Sequence, residues 1–286
     1  MKTTSTALRR TLAVATMRRM TTASRSPGDM PDPEASPGKD GRAEAGLTWA
    51  RDALGRKSLR IEPLAGDASF RRYFRLRDGA EHWVLMDAPP GKEDLHPFIE
   101  VAYKLSAGGV TVPAVLAEDR EQGFLILDDL GDVLLRDRLS PETASHWFPD
   151  LLDLLRRLAQ DISCDGLPNY DRSRLQQDLE LFPEWYLGRH KGIQLSCSQL
   201  DLWEDLATRL LLSAEAQPQV FVHRDFHSCN LLVQPEDRLA VIDFQDAVQG
   251  PLSYDLASLL WDRYIAWPRP QLEGWMEELR LEVAPK

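Results

Sequence analysis

The sequence predicts an α+β fold with two lobes, a small β-rich N-terminal lobe and a mostly helical C-terminal lobe. Between residues 60 and 130, short segments of alternating apolar and polar residues surround one helical pattern. After Gly131 the apolar residues change to helical spacing. A short island of strand-like segments, residues 219–244, interrupts this helical half. We therefore expect an N-lobe over 46–131 and a C-lobe over 132–286.

Composition limits the possible functions. The 286 residues allow two lobes with a sizeable core, and 43% hydrophobic with 28% charged residues is ordinary for a globular protein. The net charge of -11 disfavours a nucleic-acid partner, which would need a basic surface. No apolar run approaches the roughly 18 residues of a membrane span, so no membrane role is expected. Three widely spaced cysteines without a CxxC argue against a disulfide framework or a zinc site and favour the reducing cytoplasm.

Residues 1–45 differ from the rest of the chain. They are rich in Ser, Thr, Arg, Pro and Gly and have little periodicity, which is typical of a disordered segment. Their basic, acid-free beginning also has the composition of a transit peptide. A start at Met17, Met20 or Met30 is the simpler alternative. We interpret this segment as a dispensable tail, with order beginning near Gly46.

The N-lobe elements follow from local patterns. LTWARDALG predicts a short helix, and RIEPLAG, FRRYFRLRD and HWVLMD predict three strands. In the second strand Phe70, Phe74 and Leu76 share one face, and Arg71, Tyr73 and Arg75 share the other. Residues 94–107 predict a helix that ends at Gly108-Gly109. VPAVLAED and GFLILDDL predict two further strands, joined by a turn at DREQ.

The C-lobe is predicted from four helical patterns and the strand island. Residues 141–160 place Trp147, Leu151, Leu154, Leu155 and Leu158 on one face, and residues 198–212 place Trp203, Leu206 and Leu210 on another. DRSRLQQDLELFPEWYLGRH, between them, is predicted to be helical. QVFVHRD, NLLV and LAVIDF predict strands, and a last helical stretch begins at Tyr254.

The strand island contains the residues with the clearest chemistry. NLLV and LAVID are joined by QPEDR, so a hairpin centred near Glu236 would bring Asn230 and Asp243 together at its open end. Asp225 lies on the loop just before the first of these strands. Two oxygen ligands beside a carboxylate suit Mg²⁺, which is usually held by one or two protein groups and substrate phosphates. This is the arrangement that phosphoryl transfer requires, with Asp225 as the base and Asn230 and Asp243 as metal ligands.

These motifs resemble a known superfamily. HRDFHSCN matches the catalytic-loop pattern H-R-D-x-x-x-x-N, and IDFQ stands where protein kinases carry D-F-G. His227 resembles the variant loop of the aminoglycoside and choline phosphotransferases. LAGDASFRRYF, MDAPP, LFPEWY and GPLSYDLASLL resemble the bacterial N-acetylmuramate/N-acetylglucosamine kinases, which phosphorylate an anomeric hydroxyl. The resemblance covers about residues 48–280 and implies a protein-kinase-like bilobal fold, ATP and Mg²⁺ as cofactors and a small amino-sugar substrate.

The resemblance also implies roles for particular residues. His223 and His227 join Asp225 in the catalytic set, and Asp255, in SYDLAS, props the catalytic loop. The phosphate-covering loop and the interlobe hinge that binds adenine are implied at Gly66, Asp67, Ala68, Ser69, Phe70, Asp128, Asp129 and Leu130. A plain β-turn remains the alternative for the first segment, a solvated linker for Asp128 and Asp129, and a helix N-cap for Asp255.

Two departures from the family pattern weaken these expectations. Kinases carry a strand lysine that contacts the α- and β-phosphates. Here WVLMDAPP has Met86 and Asp87 instead, which leaves Arg71, Arg72 or Lys92 for that contact and Glu100 without a strand partner. The family also continues for some tens of residues past YDLASLL. We therefore expect that part of the helical lobe or of the acceptor pocket is missing.

The acceptor site is predicted at LFPEWYLGRH. Trp185 would stack on the sugar, Glu184 would contact its hydroxyls, and Arg189 would meet the lactyl carboxylate of N-acetylmuramate. The alternative is that Phe182, Trp185 and Tyr186, which have helical spacing, are core residues. Other small-alcohol kinases, of the aminoglycoside or choline type, and an inactive pseudokinase or binding module remain as alternative functions. The sequence makes no prediction about the oligomeric state.

Overall fold

A computed structural model of the chain describes residues 40–64 and 70–283. Arg42–Lys286 form one compact unit, which contains the described helices and strands apart from Gly41, the first residue of helix α1 (Gly41–Leu54). This helix begins five residues before the predicted onset of order at Gly46. The predicted phosphate-covering residues Gly66, Asp67, Ala68 and Ser69 lie outside the described residues.

The N-lobe is an antiparallel sheet with a helix on each face. Its strands have the order β1-β2-β3-β5-β4, and α2 (His96–Ala107) connects β3 to β4. The strands are β1 (Arg60–Pro63), β2 (Arg72–Asp78), β3 (Glu81–Asp87), β4 (Val115–Asp119) and β5 (Phe124–Asp128). Each predicted strand is present, and the predicted turn between β2 and β3 has its bend at Gly79, whose φ of 63° suits glycine.

The two faces of this sheet bury different side chains. On one face α1 packs against Leu76, Leu85 and Phe124. Gly46 permits this approach, since a Cβ there would lie 2.9 Å from the Leu85 side chain. On the other face α2 packs against Met86, Leu125 and Leu127. Successive side chains of β3 and β5 point to opposite faces of the sheet, so the same two strands contribute to the apolar core on each face.

The second strand begins later than predicted. Phe74 and Leu76 share a buried face as expected, but Phe70 precedes the strand and is exposed. Arg75, on the opposite face, is only 8% exposed although it is charged. Its guanidinium is covered because it pairs with Asp129 and Asp132, two carboxylates far along the chain. A residue-by-residue polarity pattern contains no information on such distant partners.

The C-lobe is built on helix α3 (Ala144–Gln160). Trp147, Leu151 and the other predicted apolar residues of this helix are buried. Helix α7 (Arg269–Val283) packs on α3 through a stack of Phe148 on Trp275 and an edge contact of Phe148 with Trp267. The predicted final helical stretch is two helices, because the chain breaks between α6 (Tyr254–Leu260) and α7.

A second group of helices has a more exposed surface. It comprises α4 (Arg172–Leu181), a π-helical segment (Phe182–His190) and α5 (Cys197–Glu215). The predicted apolar face of α5 is present, yet Leu206 and Leu210 are exposed, and Leu211 is the buried residue of this helix among those described. The α5 face is covered only in part, since Trp203 meets Phe182 of the π-helical segment at 5.4 Å between ring centroids.

Two short antiparallel pairs form the strand island. β6 (Gln219–Val222) pairs with β9 (Val248–Pro251), and β7 (Leu231–Val233) pairs with β8 (Leu239–Val241). Phe244, just after β8, meets Phe98 of α2 at 4.8 Å between ring centroids, so one core continues from the sheet into the helical lobe. Within residues 40–64 and 70–283, no helix is long and apolar enough to cross a bilayer. The bilobal α+β prediction is confirmed.

Asp87 is a fully buried carboxylate at the end of β3. Its Oδ1 accepts hydrogen bonds from Arg42 Nε and Nη2 at 2.8 and 2.5 Å, and its Oδ2 accepts from Arg72 Nε and Nη2 at 3.0 and 2.5 Å. Arg42 lies on α1 and Arg72 on β2, so the carboxylate joins a helix and two strands. Charge-assisted bidentate pairs of this kind are stronger than neutral hydrogen bonds.

We expect Asp87→Ala to lower the free energy of unfolding by about 2 kcal/mol, because it removes two charge-assisted pairs while both arginines can still reach water. Denaturant titration followed by circular dichroism measures the change. The control is Glu118→Ala, which removes an exposed pair with Arg120 and should cost less than about 1 kcal/mol. Equal losses in the two variants would show that Asp87 does not hold the lobe together.

Candidate active site

The loop of residues 223–230 runs from the end of β6 to the start of β7 and is fixed by a buried carboxylate. Asp255 of α6 is 3% exposed. Its Oδ2 accepts the backbone N–H of His223 at 2.6 Å, and its Oδ1 accepts that of Arg224 at 3.0 Å. The side chain therefore bonds to the loop rather than capping its own helix: Ser253 is the N-cap residue of α6.

A second carboxylate, which the sequence analysis missed, holds the other half of the loop. Asp262 is buried, and its Oδ2 accepts the backbone N–H of Ser228 at 3.0 Å and also the Ser228 hydroxyl. Asp262 lies two residues beyond the end of α6, so it reaches the loop from the turn that follows the helix. No sequence pattern indicates this contact, because only the folded loop shows what Asp262 binds.

His223 connects the loop to the strand beside it. The ring is fully buried, its Nε2 lies 3.0 Å from the carbonyl of Ile242, and its Nδ1 accepts the backbone N–H of Asp225 at 3.3 Å. Burial lowers the pKa of His223, so the imidazole is neutral and donates from Nε2. A neutral buried ring in this position orients the loop and has no exposed nitrogen to offer a substrate.

Asp225 presents its side chain to solvent while its backbone organises the rest of the loop. Its carbonyl accepts the backbone N–H of His227 at 3.0 Å and the side-chain Nδ2 of Asn230 at 2.9 Å. The Asn230 amide is thereby oriented, and its Oδ1 stays available as a ligand. His227 places a buried Nδ1 in this region without a hydrogen-bond partner among the described residues.

The hairpin brings Asn230 and Asp243 together as predicted. The N–H of Ile242 donates to the carbonyl of Asn230 at 3.0 Å, one step beyond the β7–β8 pair. The turn lies at Pro235–Asp237, with Glu236 in the left-handed region at φ 63°. Asp243 also has a positive φ, 61°, and its Oδ1 accepts Gln245 Nε2 at 2.7 Å. Asp243 is thus held in a conformation that few side chains adopt unaided.

These residues fit a magnesium ion. Asn230 and Asp243 supply an amide oxygen and a carboxylate, the hard ligands that Mg²⁺ takes, and Asp225 lies beside them. The buried Oε1 of Gln245, next to Asp243, has no partner in the described part of the chain. Over the same residues no group of three or more His, Cys, Asp or Glu forms a metal site. A metal here would therefore depend on substrate phosphates for its remaining ligands.

The predicted hinge residues have defined contacts. The Asp129 carboxylate accepts Arg75 Nε at 2.5 Å and the Gly131 N–H at 3.0 Å, and its side chain is 2% exposed. The solvated-linker alternative is therefore wrong for Asp129. The Leu130 carbonyl accepts Gln234 Nε2 at 2.5 Å. Asp128 donates its N–H to the Ala114 carbonyl at 3.0 Å.

The three candidates for the missing strand lysine are in different environments. Arg72 pairs with Asp87 and Arg71 pairs with Glu93 at 3.3 Å. Lys92 lies 4.8 Å from the centroid of the Phe70 ring, and the Phe70 N–H donates to Glu93 at 3.1 Å. Glu100 pairs within its own helix, with Lys104 and His96 at 3.5 Å. No described lysine therefore takes the place of the kinase strand lysine.

The predicted sugar-binding residues lie together on the π-helical segment. Arg189 Nη2 pairs with Glu184 Oε1 at 3.0 Å, and the guanidinium lies 3.8 Å from the centroid of the Trp185 ring. Phe182, Trp185 and Tyr186 are 45%, 51% and 47% exposed, so the alternative that they are core residues is wrong. Their part in sugar binding stays a prediction.

A cavity of about 540 Å³ lies against the loop. It is lined by side chains from the loop, from the segment after Asp243, and from helices α2 and α4. They include Tyr170, the arginines Arg174 and Arg224, and the acids Glu100, Asp178 and Asp246. Its volume is within the range of small-molecule sites, and Glu184, Trp185 and Arg189 do not line it.

Comparison with known proteins identifies the family. Residues 60–283 match the model of the phosphotransferase enzyme family, APH. The chain belongs to this family. The N-acetylmuramate/N-acetylglucosamine kinase of Pseudomonas aeruginosa is 45% identical over 212 residues, which are 74% of this chain and 62% of that protein. The kinase of the same name from Pseudomonas putida is 42% identical, with the same coverage. The chain thus spans about 62% of the length of these phosphotransferase-family relatives.

Solved structures of phosphotransferases have the same fold. The choline kinase LicA from Streptococcus pneumoniae superimposes with a TM-score of 0.60 at 14% identity, covering 83% of this chain and 80% of that one. An ADP-bound aminoglycoside phosphotransferase superimposes with a TM-score of 0.57 at 19% identity, covering 83% and 82%. At this level of identity the likeness concerns the fold alone.

The buried Asp255 carboxyl should make stability depend on pH. Burial raises its pKa to about 7, although the two N–H donors act in the opposite direction. Because the folded-state pKa exceeds the ordinary value of 3.8, the folded state binds the proton more tightly. The stabilising contribution of this group is therefore complete below about pH 4 and is lost as the pH rises through 7.

We expect the free energy of unfolding of the wild type, relative to Asp255→Asn, to fall between pH 5 and pH 8. The amide does not titrate, so the difference between the two proteins isolates this group. Denaturant titrations at each pH measure it. A relative stability that rises with pH would mean that the two N–H bonds outweigh burial and that Asp255 is ionised in the fold.

Proposed function

We propose that this chain carries the catalytic machinery of an ATP-dependent kinase that phosphorylates the anomeric hydroxyl of N-acetylmuramate or N-acetylglucosamine. The observation that carries the proposal is the meeting of an exposed Asp225 with Asn230 and Asp243 at the open end of one hairpin. The substrate class is taken from the kinases to which the chain is similar. We place the enzyme in the cytoplasm, where ATP and sugar intermediates meet.

In the proposed reaction, the acceptor hydroxyl oxygen attacks the γ-phosphorus of ATP, the bond between that phosphorus and the bridging oxygen breaks, and ADP leaves. Asp225 accepts the proton of the attacking hydroxyl, for which its exposed carboxylate is suited. Asn230 Oδ1 and the Asp243 carboxylate would hold Mg²⁺, which would neutralise charge on the phosphates. His223 takes no part in proton transfer in this scheme, because its buried neutral ring only sets the position of the loop. His227 supports the same loop through its backbone.

The nucleotide base is assigned to the hinge. The Leu130 carbonyl is already bonded to Gln234, whereas the Leu130 N–H has no backbone acceptor among the described residues. This N–H is therefore the donor proposed for adenine, with Asp128 and Asp129 shaping the hinge. Phe70 ends the segment proposed to cover the phosphates, together with Gly66, Asp67, Ala68 and Ser69. The ADP-bound aminoglycoside phosphotransferase with the same fold supports nucleotide use.

A second candidate function is a kinase for aminoglycosides or choline, which the fold equally allows. Such acceptors are cations, and choline recognition favours a cage of aromatic side chains. The described lining of the cavity beside the loop has one tyrosine, Tyr170, and charges of both signs: Arg174 and Arg224 with Glu100, Asp178 and Asp246. A single tyrosine does not make the aromatic cage that choline recognition favours.

A screen of ATP consumption with amino sugars, aminoglycosides and choline tests the function. The proposal requires turnover with N-acetylmuramate or N-acetylglucosamine and a sugar 1-phosphate as the product, identified by ³¹P NMR. Turnover only with a cationic acceptor would contradict it and support the second candidate. Nucleotide binding without turnover on any acceptor would favour the pseudokinase alternative.

Asp225→Asn should reduce kcat by roughly 10²-fold or more, because the amide cannot accept the proton of the acceptor hydroxyl. The side chain is exposed and makes no side-chain hydrogen bond within the described regions, so folding and nucleotide affinity should change little. Steady-state kinetics and thermal unfolding of the same preparation measure both. Wild-type turnover in this variant would remove Asp225 from the role of base.

Asp243→Ala should weaken Mg²⁺-dependent nucleotide binding more than Asn230→Ala. The carboxylate brings a formal charge to the metal, whereas the amide brings only a dipole. Titration calorimetry with ATP, with and without Mg²⁺, measures both variants against the wild type. Unchanged Mg·ATP affinity in Asp243→Ala would contradict the metal assignment.

A further inference from the structure

The cavity beside the catalytic loop contains two arginines that lack an ion pair. Arg224 immediately precedes Asp225, and Arg174 lies in the first turn of α4. Neither guanidinium lies within ion-pair distance of a carboxylate in residues 40–64 and 70–283, and neither donates a side-chain hydrogen bond there, although Arg224 is close enough for its charge to act on Asp178. Arg42, Arg72 and Arg75, by contrast, each pair with a carboxylate. Two unpaired cations in one cavity point to an anionic ligand group.

The position of Arg224 strengthens this point. Its Nε is buried and has no hydrogen-bond partner among the described residues. The guanidinium carbon lies 5.4 Å from the centroid of the Tyr170 ring, which limits the directions the side chain can take. A buried donor without a partner is costly, and a ligand oxygen would relieve that cost. The backbone of Arg224 has φ 78° and is held by Asp255, so the side chain starts from a fixed point.

Carboxylates in the same cavity can bind a different part of a ligand. Asp178 accepts a hydrogen bond from the buried Tyr170 hydroxyl, and Asp246 is exposed. Glu100, a third acid in the lining, already pairs with Lys104 and His96. Carboxylate oxygens accept sugar hydroxyls well, whereas guanidinium groups donate two parallel bonds to a carboxylate. The cavity therefore offers separate partners for the hydroxyls and for an acid group.

We propose that Arg224, assisted by Arg174, binds the carboxylate of an acidic amino sugar and so determines specificity within the proposed kinase function, on which this inference rests. N-acetylmuramate carries such a carboxylate on its lactyl ether, and N-acetylglucosamine does not. Arg189, to which the sequence assigned this role, is engaged with Glu184 and Trp185 and does not line the cavity. The residue that would select the acid sugar, Arg224, therefore immediately precedes the proposed catalytic base, Asp225.

The test compares Arg224→Gln, Arg224→Lys and Arg174→Gln with the wild type on both sugars and on the methyl ester of N-acetylmuramate. Arg224→Gln should lower kcat/KM for N-acetylmuramate by roughly 10- to 100-fold more than for N-acetylglucosamine, the value of charge-assisted bonds to a carboxylate. Arg224→Lys should retain part of the preference, and Arg174→Gln should show a smaller loss of the same kind. The wild type should prefer the acid over its ester, and Arg224→Gln should lose that preference.

Arg189→Ala is the matched control, since it removes an arginine at the rival position and should leave the ratio of the two sugars unchanged. Calorimetric binding of each sugar without nucleotide gives a second measurement that does not depend on turnover, and thermal unfolding excludes a damaged loop. Equal losses on both sugars in Arg224→Gln and Arg174→Gln, or a changed ratio in Arg189→Ala, would overturn this inference alone. If the wild type neither binds nor phosphorylates either sugar, the proposed function and this inference fail together.

Discussion

The buried carboxylate of Asp255 is the contact on which the rest of the site depends. It fixes the first two backbone N–H groups of the loop, and Asp262 fixes the middle of the loop. Both carboxylates belong to α6 or the turn after it, and Leu256, Leu259 and Leu260 anchor that helix in the core. The loop can therefore keep Arg224 at φ 78°, a conformation that costs free energy in isolation. The free-energy cost of this Arg224 conformation is offset by the packing of α6 in the core.

Side-chain contacts also connect the N-lobe to the C-lobe. The Phe98–Phe244 contact joins α2 of the N-lobe to the segment after the proposed metal ligand Asp243. At the hinge, Arg75 of β2 holds both Asp129 and Asp132, and this pairing raises its pKa above the ordinary value. A buried charge network is specific in geometry even where its net contribution to stability is small. An apolar contact and an ionic contact thus both connect the lobes, and they add to the core that the lobes share.

Residues close in sequence were the ones whose arrangement could be predicted. HRDFHSCN and VIDFQD are separated only by a hairpin, so pairing alone brings Asn230 next to Asp243. The spacing of apolar residues likewise predicted the strands of the sheet and the helices α2 and α3. The contacts that could not be predicted join residues far apart along the chain: no pattern connects Arg75 to Asp129, 54 residues away, and Asp262 was missed because only the folded loop shows what it binds. The apolar face of α5 was identified correctly, but periodicity cannot tell whether another element covers it.

Acceptor recognition shows most clearly why total composition is a poor guide to a site. A net charge of -11 suits a cationic acceptor of either kind, so it does not decide between an aminoglycoside and choline. At the distances of a binding cavity, the charges that matter are the few that line it, because those farther away are screened by water and salt. Here two arginines without an ion pair lie in the same lining as three acids, of which Glu100 pairs with Lys104 and His96, Asp178 accepts the Tyr170 hydroxyl, and Asp246 is exposed. The lining is therefore mixed in charge, and an acid group on the acceptor would meet the two cations that have no bonded partner among the described residues.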